Sequence, residues 1–424
     1  MNQKGLLMVS GVAACLAVTE ARATDWPQYR GANHDGVSSE ILLKQWPSSG
    51  PRPLWKVPLA DGFSSLSVGS GKAFTLVARP IDGTLQEVCV ALDADTGKEL
   101  WAAPLGVAKY DDGGKTGTPD NSGGDGPRST PSIDGDRVYT FSARLVLNCL
   151  DAASGKPIWS KDLVKEYAGR NIGWQSAASP LIDGDLVFVS GGGPGQSLLA
   201  FDKKDGHLVW KGQDDKITHA SPLAATILDV RQVIFFTQTG LVSVKANTGE
   251  VLWRYPFRYS VSTAASPVIC GDMVYCSAGY GIGASVCKIA KSDKGFTAAR
   301  LWFRPANELN SHWSTPVCKD GYLYGLFGFK EFGKGPLKCI EMATGKEMWS
   351  QPGFGPGGCL WADGKIVVLS DAGDLVLVNA SPAQYAELAR AHVLSGKCWS
   401  MPALSNGHLY ARSTKEGVCL DVAP

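Results

Sequence analysis

One unit recurs along almost the whole chain, and this repetition limits the possible folds more than any other feature. Each copy starts at Ser-Pro or Thr-Pro, continues through a short apolar run and a Gly-Asp turn, and ends in Asp-x-x-Thr-Gly followed by tryptophan. The clearest endings are LDADTGKELW, LDAASGKPIW, FDKKDGHLVW, VKANTGEVLW and IEMATGKEMW, which close at Trp101, Trp159, Trp210, Trp253 and Trp349. Self-similarity of this kind is typical of repeat architectures.

The period of the repeat indicates a particular class of ring. Closing tryptophans from Trp55 to Trp349 follow one another at 43 to 58 residues, which suits four short strands and their turns. Valine, isoleucine, phenylalanine and tyrosine fill the runs, and glycine and aspartate mark the turns. The sequence therefore predicts an all-β propeller of four-stranded antiparallel blades, with each tryptophan packed between neighbouring blades.

The two ends of the chain determine the number of blades. Residues 358–391 form a divergent seventh unit, and residues 401–422 supply only three strands. The missing strand is available around Trp55, so we expect eight blades and a ring closed by the N-terminal strand, which removes free sheet edges. If residues 358–391 were an insertion outside the ring rather than a blade, the propeller would have seven blades. The expected organisation is a signal peptide over 1–23, a lead-in segment over 24–50 and the propeller over 51–424.

The N-terminus has the features of an export signal. Lys4 precedes an apolar run over residues 5–18, and Ala21-Arg22-Ala23 forms a small-residue cleavage site. The run is too short to span a membrane, and no other segment is long enough. A lipoprotein box ending at Cys15 is the alternative, although the apolar run continues past that cysteine. Both interpretations predict an exported protein that is periplasmic or extracellular.

The charge balance excludes one class of partner. The chain has 41 basic and 40 acidic residues, giving a formal net charge of +1. A nearly neutral protein has no general attraction to nucleic acid or to an anionic membrane. We therefore expect no nucleic-acid partner.

The cysteines are expected to lie mostly in the core. Cys149, Cys339 and Cys419 take the place in the third strand that Ala91 and Ala200 take in sister repeats, which indicates a small buried position. In an exported protein disulfides are also open, and Cys276 and Cys287 flank one hairpin in which they could pair.

Three loops carry patterns that resemble functional motifs. Gly353, Gly355 and Gly358 match a dinucleotide fingerprint, but no helix follows, so the prediction is an interblade loop. The insertion over residues 106–126 carries Asp111, Asp112, Asp120, Asn121 and Asp125. These oxygens could hold calcium, but their spacing fits a solvated loop better, and we expect no metal site.

Residues 381–390 begin with Ser-Pro and predict a short helix within the seventh blade.

The candidate ligand site is the funnel on the propeller axis, where the loops that lead into the inner strands converge. Counting back from each Ser-Pro or Thr-Pro start, together with the residues just upstream, selects aromatic rings, histidines, an amide and one arginine. These residues are Arg128, Trp174, Gln175, His219, His312, Trp313 and Trp399. Aromatic planes can stack on sugars or quinones, and arginine can bind a carboxylate. The alternative is that the rings plug the channel and that the histidines cap backbone carbonyls.

Across residues 26–423 the chain resembles the bacterial pyrroloquinoline-quinone-like (PQQ-like) repeat propellers. It is most similar to an exported group often labelled by likeness to the outer-membrane assembly lipoprotein of the BAM complex. The segments that carry the resemblance are Trp26-Pro27-Gln28-Tyr29-Arg30-Gly31, the tryptophan-closed tails, Gly126-Pro127-Arg128-Ser129-Thr130-Pro131, and the predicted Ser381-Pro382 helix leading to Cys398-Trp399-Ser400-Met401-Pro402. The resemblance implies an eight-bladed ring in the periplasm or envelope.

Two functions remain open. The first is a non-catalytic envelope binding or scaffold protein that engages a protein, peptide or glycan through its funnel or rim, without a cofactor. The second is a PQQ-dependent oxidoreductase for an alcohol or sugar. True quinoprotein dehydrogenases have an adjacent-cysteine disulfide, calcium-binding carboxylates and a catalytic aspartate, whereas the chain has no Cys-Cys pair and its candidate funnel positions hold no acidic residue. The sequence therefore favours the binding protein.

Overall fold

The computed structural model describes residues 25–47, 49–110, 124–258 and 261–424. Over these residues the chain is all-β, with one helix of four residues, Leu163–Glu166. The strands form eight antiparallel sheets of four strands, one of which gains a fifth, parallel strand. The predicted eight-bladed propeller is confirmed.

The first four blades follow one another along the chain, with strands ordered from the axis outward. Their bounds are Ser67–Gly69, Lys72–Ile81, Thr84–Asp93 and Glu99–Val107 in blade 1; Ser132–Asp134, Arg137–Phe141, Val146–Asp151 and Pro157–Asp162 in blade 2; Leu181–Asp183, Leu186–Ser190, Leu198–Asp202 and Leu208–Gly212 in blade 3; and Leu223–Ile227, Val230–Thr237, Gly240–Lys245 and Val251–Pro256 in blade 4.

The next three blades repeat this order, and blade 8 takes its outer strand from the N-terminal part of the chain. Their bounds are Val268–Cys270, Met273–Ala278, Gly283–Ser292 and Gly295–Arg304 in blade 5; Val317–Lys319, Tyr322–Leu326, Leu337–Glu341 and Lys346–Gln351 in blade 6; Gly358–Ala362, Lys365–Leu369, Asp374–Asn379 and Glu387–His392 in blade 7, with Val37–Ser38 added; and Ala403–Ser405, His408–Arg412, Glu416–Asp421 and Arg52–Pro58 in blade 8.

The ring closes as the sequence predicts. Arg52–Pro58 pairs antiparallel with Glu416–Asp421, and Trp55 lies opposite Cys419. Residues 358–391 contribute a complete blade rather than an excursion, so the seven-blade alternative is wrong.

The closing tryptophans join neighbouring blades, also as predicted. The indole N–H of Trp55 donates to the carbonyl of Ala94, and that of Trp302 donates to Met342, each at 2.8 Å. Trp253 is an exception, because the next blade lacks the Asp-x-x-Thr-Gly turn. Its N–H instead donates at 2.8 Å to the amide oxygen of Gln232 within its own blade.

The helix predicted over residues 381–390 is wrong. Glu387–His392 is the outer strand of blade 7 and pairs with Asp374–Asn379. The hydroxyl of Ser381 accepts from the backbone N–H of Ala383 at 3.2 Å, so the Ser-Pro pattern forms a turn. Strand pairing within the blade outweighs the local helix signal, as tertiary context commonly does.

The suggested Cys276–Cys287 pair is also wrong, because both thiols are free and buried. The disulfide joins Cys270 to Cys318, on the inner strands of blades 5 and 6. Cys149, Cys339 and Cys419 are free and buried, as expected.

Several predictions fall outside the described residues. These are the export signal, Cys15, and Asp111, Asp112, Asp120 and Asn121 of the insertion. Asp125 is described and buried, and its carboxylate pairs with the ammonium group of Lys397. The Gly353–Gly358 motif lies between blades 6 and 7, as predicted. The described part of the chain contains no helix with the length and apolar character that a membrane crossing requires.

Candidate functional site

A cavity of about 340 Å³ lies on the axis where the loops that lead into the inner strands meet. Six of the seven candidate residues line it: Arg128, Trp174, His219, His312, Trp313 and Trp399. Gln175 does not, because its side chain accepts at 2.7 Å from Asn171, away from the cavity. Its lining also includes the hydroxyl-bearing residues Ser65, Thr130, Ser179, Ser221, Ser262, Ser314 and Ser400.

The N-terminal segment closes the funnel from below. Residues 26–38, here called the strap, contact the inner strands of several blades. The backbone of Trp26 bridges to Val68 of blade 1, and the amide of Gln28 exchanges two hydrogen bonds with the backbone of Ile182 in blade 3. Tyr29 reaches the cavity floor, where its hydroxyl lies 3.2 Å from that of Thr315. The Trp-Pro-Gln-Tyr-Arg-Gly motif thus forms the floor of the site.

Arg30 fixes the strap to blade 6. Its guanidinium is 2% exposed and donates to the backbone carbonyls of Thr315 and Pro316, each at 2.9 Å. It also donates to the carbonyls of His34 and Asp35 within the strap. Burial lowers the pKa of this arginine, and hydrogen bonds to four carbonyls satisfy the buried cation.

Aromatic rings form a stack along one side of the funnel. Trp399 lies nearly parallel to Phe63 at 4.9 Å, to Trp313 at 4.8 Å and to Phe332 at 5.2 Å between ring centroids. These rings come from blades 1, 6 and 8. Trp399 therefore stacks on other rings of the protein, which is the arrangement expected if the rings fill the channel.

The two histidines have different surroundings. Both ring nitrogens of His219 have partners, the carbonyl of Gly173 at 2.9 Å and the hydroxyl of Ser262 at 3.0 Å. His312 is 4% exposed and packs edge-on against Tyr280 and Phe329 at 5.4 and 5.0 Å. Burial lowers the pKa of His312 to about 3, with smaller contributions from His219 and Lys330, so the ring is neutral near pH 7. His219 caps a backbone carbonyl, whereas His312 forms part of an aromatic wall.

Two cations lie on the wall. Arg128 donates at 2.6 Å to the carbonyl of Trp174 and lies over the ring of Tyr110 at 5.3 Å. Lys330 places its ammonium group over Tyr280 and Phe329, at 5.9 and 5.7 Å from the ring centroids. The cavity thus offers aromatic rings, hydroxyls and positive charge, and its described lining residues include no carboxylate.

This lining does not fit a calcium–quinone centre. Calcium takes six to eight oxygen ligands, usually with carboxylates among them. Two buried carboxylates lie near the funnel without lining the cavity. Asp125 pairs with Lys397, and Asp371 accepts from the backbone N–H of Gly333 at 2.8 Å.

Among the aromatic and cationic lining residues, sequence reasoning missed Tyr29, Phe63, Tyr280 and Lys330, and it selected none of the hydroxyl-bearing residues. Phe63 was predictable from the sequence. It lies three residues before Leu66, which takes the place in blade 1 of the proline that begins the sister repeats. Tyr280 and Lys330 come from loops between the second and third strands, which the counting did not include. Tyr29 belongs to the strap, and no repeat position marks it.

The family model described as outer membrane protein assembly factor BamB matches residues 84–325. The chain belongs to this family. Two BamB proteins are similar at low identity: that of Shewanella oneidensis is 24% identical over 236 residues, and that of Moranella endobia is 22% identical over 275. The matches cover 53% and 61% of this chain, but only 56% and 66% of those proteins.

Solved structures support the BamB-like fold. BamB from Moraxella catarrhalis superposes with a TM-score of 0.60 at 16% identity, over 87% of this chain and 99% of that one. A quinohemoprotein alcohol dehydrogenase from Comamonas testosteroni superposes with a TM-score of 0.63 at 13% identity, over 96% of this chain and 82% of that one. At these identities the likeness establishes the propeller fold and leaves the activity open.

Proposed function

We propose that this member of the BamB family is a binding or scaffold protein of the bacterial envelope that engages a protein partner in outer-membrane assembly. The observation that carries the proposal is the funnel. Its described lining consists of aromatic rings, hydroxyls and cations on a rigid ring, with His219 held by two hydrogen bonds and His312 enclosed by aromatic rings. Such a surface suits binding, because aromatic and cationic side chains commonly anchor protein partners.

The funnel is prepared for binding by its own contacts. Arg128 holds the loop of Trp174, and Tyr29 and Arg30 fix the floor. A partner would therefore meet a site that loses little conformational freedom on association. We assign the contact to Trp174, Tyr280 and Lys330, while Trp399 and Trp313 support the wall.

Export to the envelope is part of the proposal. Residues 1–23 would direct secretion, with cleavage before Thr24 or, as the lesser alternative, a lipid anchor at Cys15. Residues 24–50 would be the lead-in segment and 51–424 the propeller. The Cys270–Cys318 disulfide supports an oxidising compartment such as the periplasm.

The proposal is tested in cells that lack the chain. We expect less folded outer-membrane protein, measured as the fraction of barrel proteins that resists unfolding in detergent before heating, with recovery when the intact chain is restored. Unchanged levels of folded barrels would contradict the proposal.

The oxidoreductase alternative rests on fold likeness alone. One experiment distinguishes this alternative from the binding protein. Purified protein is mixed with PQQ and calcium, and the melting temperature and dye reduction are followed with an alcohol or a sugar. We expect neither to change. A calcium-dependent rise in melting temperature together with dye reduction would favour the enzyme.

A further inference from the structure

A second concave surface lies on the rim, between blades 1 and 2. It encloses about 520 Å³ and is separate from the funnel. Leu105 and Val107 of the outer strand of blade 1 form one wall, and Val146 and Val164 of blade 2 lie opposite. We call it the blade 1–2 groove.

The groove exists because blade 1 is taller than its neighbours. Its outer strand, Glu99–Val107, has nine residues, against six in Pro157–Asp162 of blade 2 and seven in Arg52–Pro58 of blade 8. The extra residues rise beyond the closing tryptophan and stand opposite the helix Leu163–Glu166, which follows blade 2.

A buried carboxylate holds the two walls together. Glu87 is 1% exposed and accepts from the hydroxyl of Tyr110 at 2.8 Å and from the backbone N–H of Ala143 at 3.1 Å. The second bond crosses to blade 2 and fixes the residue next to Arg144. The groove is therefore a built feature of the ring.

The groove leaves large apolar side chains in contact with water. Val107 and Val164 are each 48% exposed. Together with the half-buried Leu105 and Val146, these two residues form an apolar patch on two facing walls, whereas single exposed apolar residues are ordinary on protein surfaces.

The charge around the groove is positive. Lys165 is paired with Asp162 at 2.9 Å. Lys109 and Arg144 also line the groove and are exposed, and neither has a carboxylate within ion-pair distance among the described residues. Asp162 and the buried Glu87 are the two carboxylates that line the groove, and Glu87 also attracts Arg144, so cations exceed carboxylates by one. Exposed cations beside an apolar floor complement a ligand with apolar side chains and carboxylates.

Strand addition is blocked at this edge. Pro104 lies in the raised part of the outer strand and has no N–H to offer to a further strand. A ligand would have to dock through its side chains, with apolar groups in the groove and acidic groups at its ends.

We propose that the blade 1–2 groove binds an acidic, apolar segment of a partner protein. The inference rests on the proposed function only in requiring a protein partner, and it adds a second contact surface with a defined chemistry. A concave surface on a nearly neutral chain favours a peptide over an anionic membrane, since membrane anchors present protruding apolar groups.

The test uses the mature protein and a fluorescent synthetic peptide of alternating leucine and glutamate. Arg144→Glu should weaken binding at least roughly tenfold, because it replaces attraction with repulsion at the end of the groove. Val107→Ser should also weaken it. Matched controls are Lys204→Glu and Val209→Ser, exposed residues on blade 3, which should bind as the parent does. A lysine-for-glutamate peptide should not bind.

Three outcomes would overturn the inference. Equal affinity of the parent and Arg144→Glu for the acidic peptide would remove the charge argument. Arg144-dependent binding to vesicles containing anionic lipid, without peptide binding, would make the groove a membrane contact. A concentration-dependent dimer abolished by Val107→Ser would identify a second copy as the occupant. None of these results changes the outcome in cells that lack the chain, so the proposed function is tested separately.

Discussion

The indole N–H of Trp210, at the end of blade 3, donates a 2.7 Å hydrogen bond to the carbonyl of Ala246 in blade 4. Its ring also covers Gly249 of the same turn, where a Cβ atom would lie 2.6 Å from the ring. The same relationship joins Trp101 to Gly155 and Trp159 to Gly206. In each of these pairs, the glycine turn of one blade packs against the tryptophan of the preceding blade, and this contact is what the repeat motif encodes.

This relationship gives the first prediction. Gly249→Ala should destabilise the fold by about 1–3 kcal/mol more than Gly184→Ala, because it forces a methyl group into Trp210. Both glycines have positive φ, +71° and +59°, but a Cβ at Gly184 meets nothing within 4 Å. The control therefore shares the backbone cost and lacks the clash. Urea unfolding of both variants measures the difference. Equal losses in the free energy of unfolding would mean that the contact between the glycine turn and Trp210 contributes little to stability.

The second prediction concerns the strap. Arg30→Ala should cost about 3 kcal/mol or more, because it leaves buried carbonyls of the strap and blade 6 without donors. Arg52→Ala removes an exposed ion pair with Asp421 and should change stability by no more than about 0.5 kcal/mol. Similar losses in the two variants would argue against a structural role for the strap.

The sequence predicted those features that depend on repeat-spaced positions. The eight blades, the closure at Trp55 and the interblade tryptophans follow from the period and the strand count. It also selected six residues that converge on one cavity, because every blade delivers the same position to the axis. The ligand-binding role of these residues stays a prediction.

Features that depend on contacts between distant segments were not predictable. Cys270 and Cys318 occupy different positions in their repeats, and only the packing of blades 5 and 6 brings them together. Strand pairing within blade 7 overrides the helix signal of residues 381–390. The stacking of Trp399 on three rings brings together residues 63, 313 and 332, which lie far apart in the sequence or in different loops, and spacing does not show it.

The disulfide gives a third prediction. The cross-link spans 48 residues, so replacing Cys270 and Cys318 by serine should cost about 2–4 kcal/mol. Dithiothreitol should lower the melting temperature of the parent protein and leave that of the double variant unchanged. A parent protein that melts identically with and without reductant would contradict a stabilising cross-link.

The fourth prediction concerns acid stability. The pKa of His312 is lowered to about 3 by burial, so the unfolded chain takes up a proton below about pH 6.5 and the folded protein does not. His312 therefore leaves the free energy of unfolding unchanged above about pH 6.5. Below that pH the free energy of unfolding falls by about 1.4 kcal/mol per pH unit as the pH drops toward 3. His312→Asn should flatten the dependence of the unfolding free energy on pH between 6 and 4.5. The exposed His207→Asn serves as the control, and equal slopes in the two variants would refute the assignment.

The central claim is that the funnel is the functional face, and one complementation experiment tests it most directly. Tyr280 lines the funnel and is 37% exposed, whereas Phe303 lies on the outer strand of blade 5 and is 38% exposed. Each is changed to alanine in cells that depend on this chain, and the fraction of folded outer-membrane barrel protein is measured alongside the melting temperature of each purified variant. We predict that Tyr280→Ala, alone or with Trp174→Ala, lowers the folded fraction while melting close to the parent, and that Phe303→Ala restores it fully. Full restoration by the Tyr280 and Trp174 variants would contradict the claim.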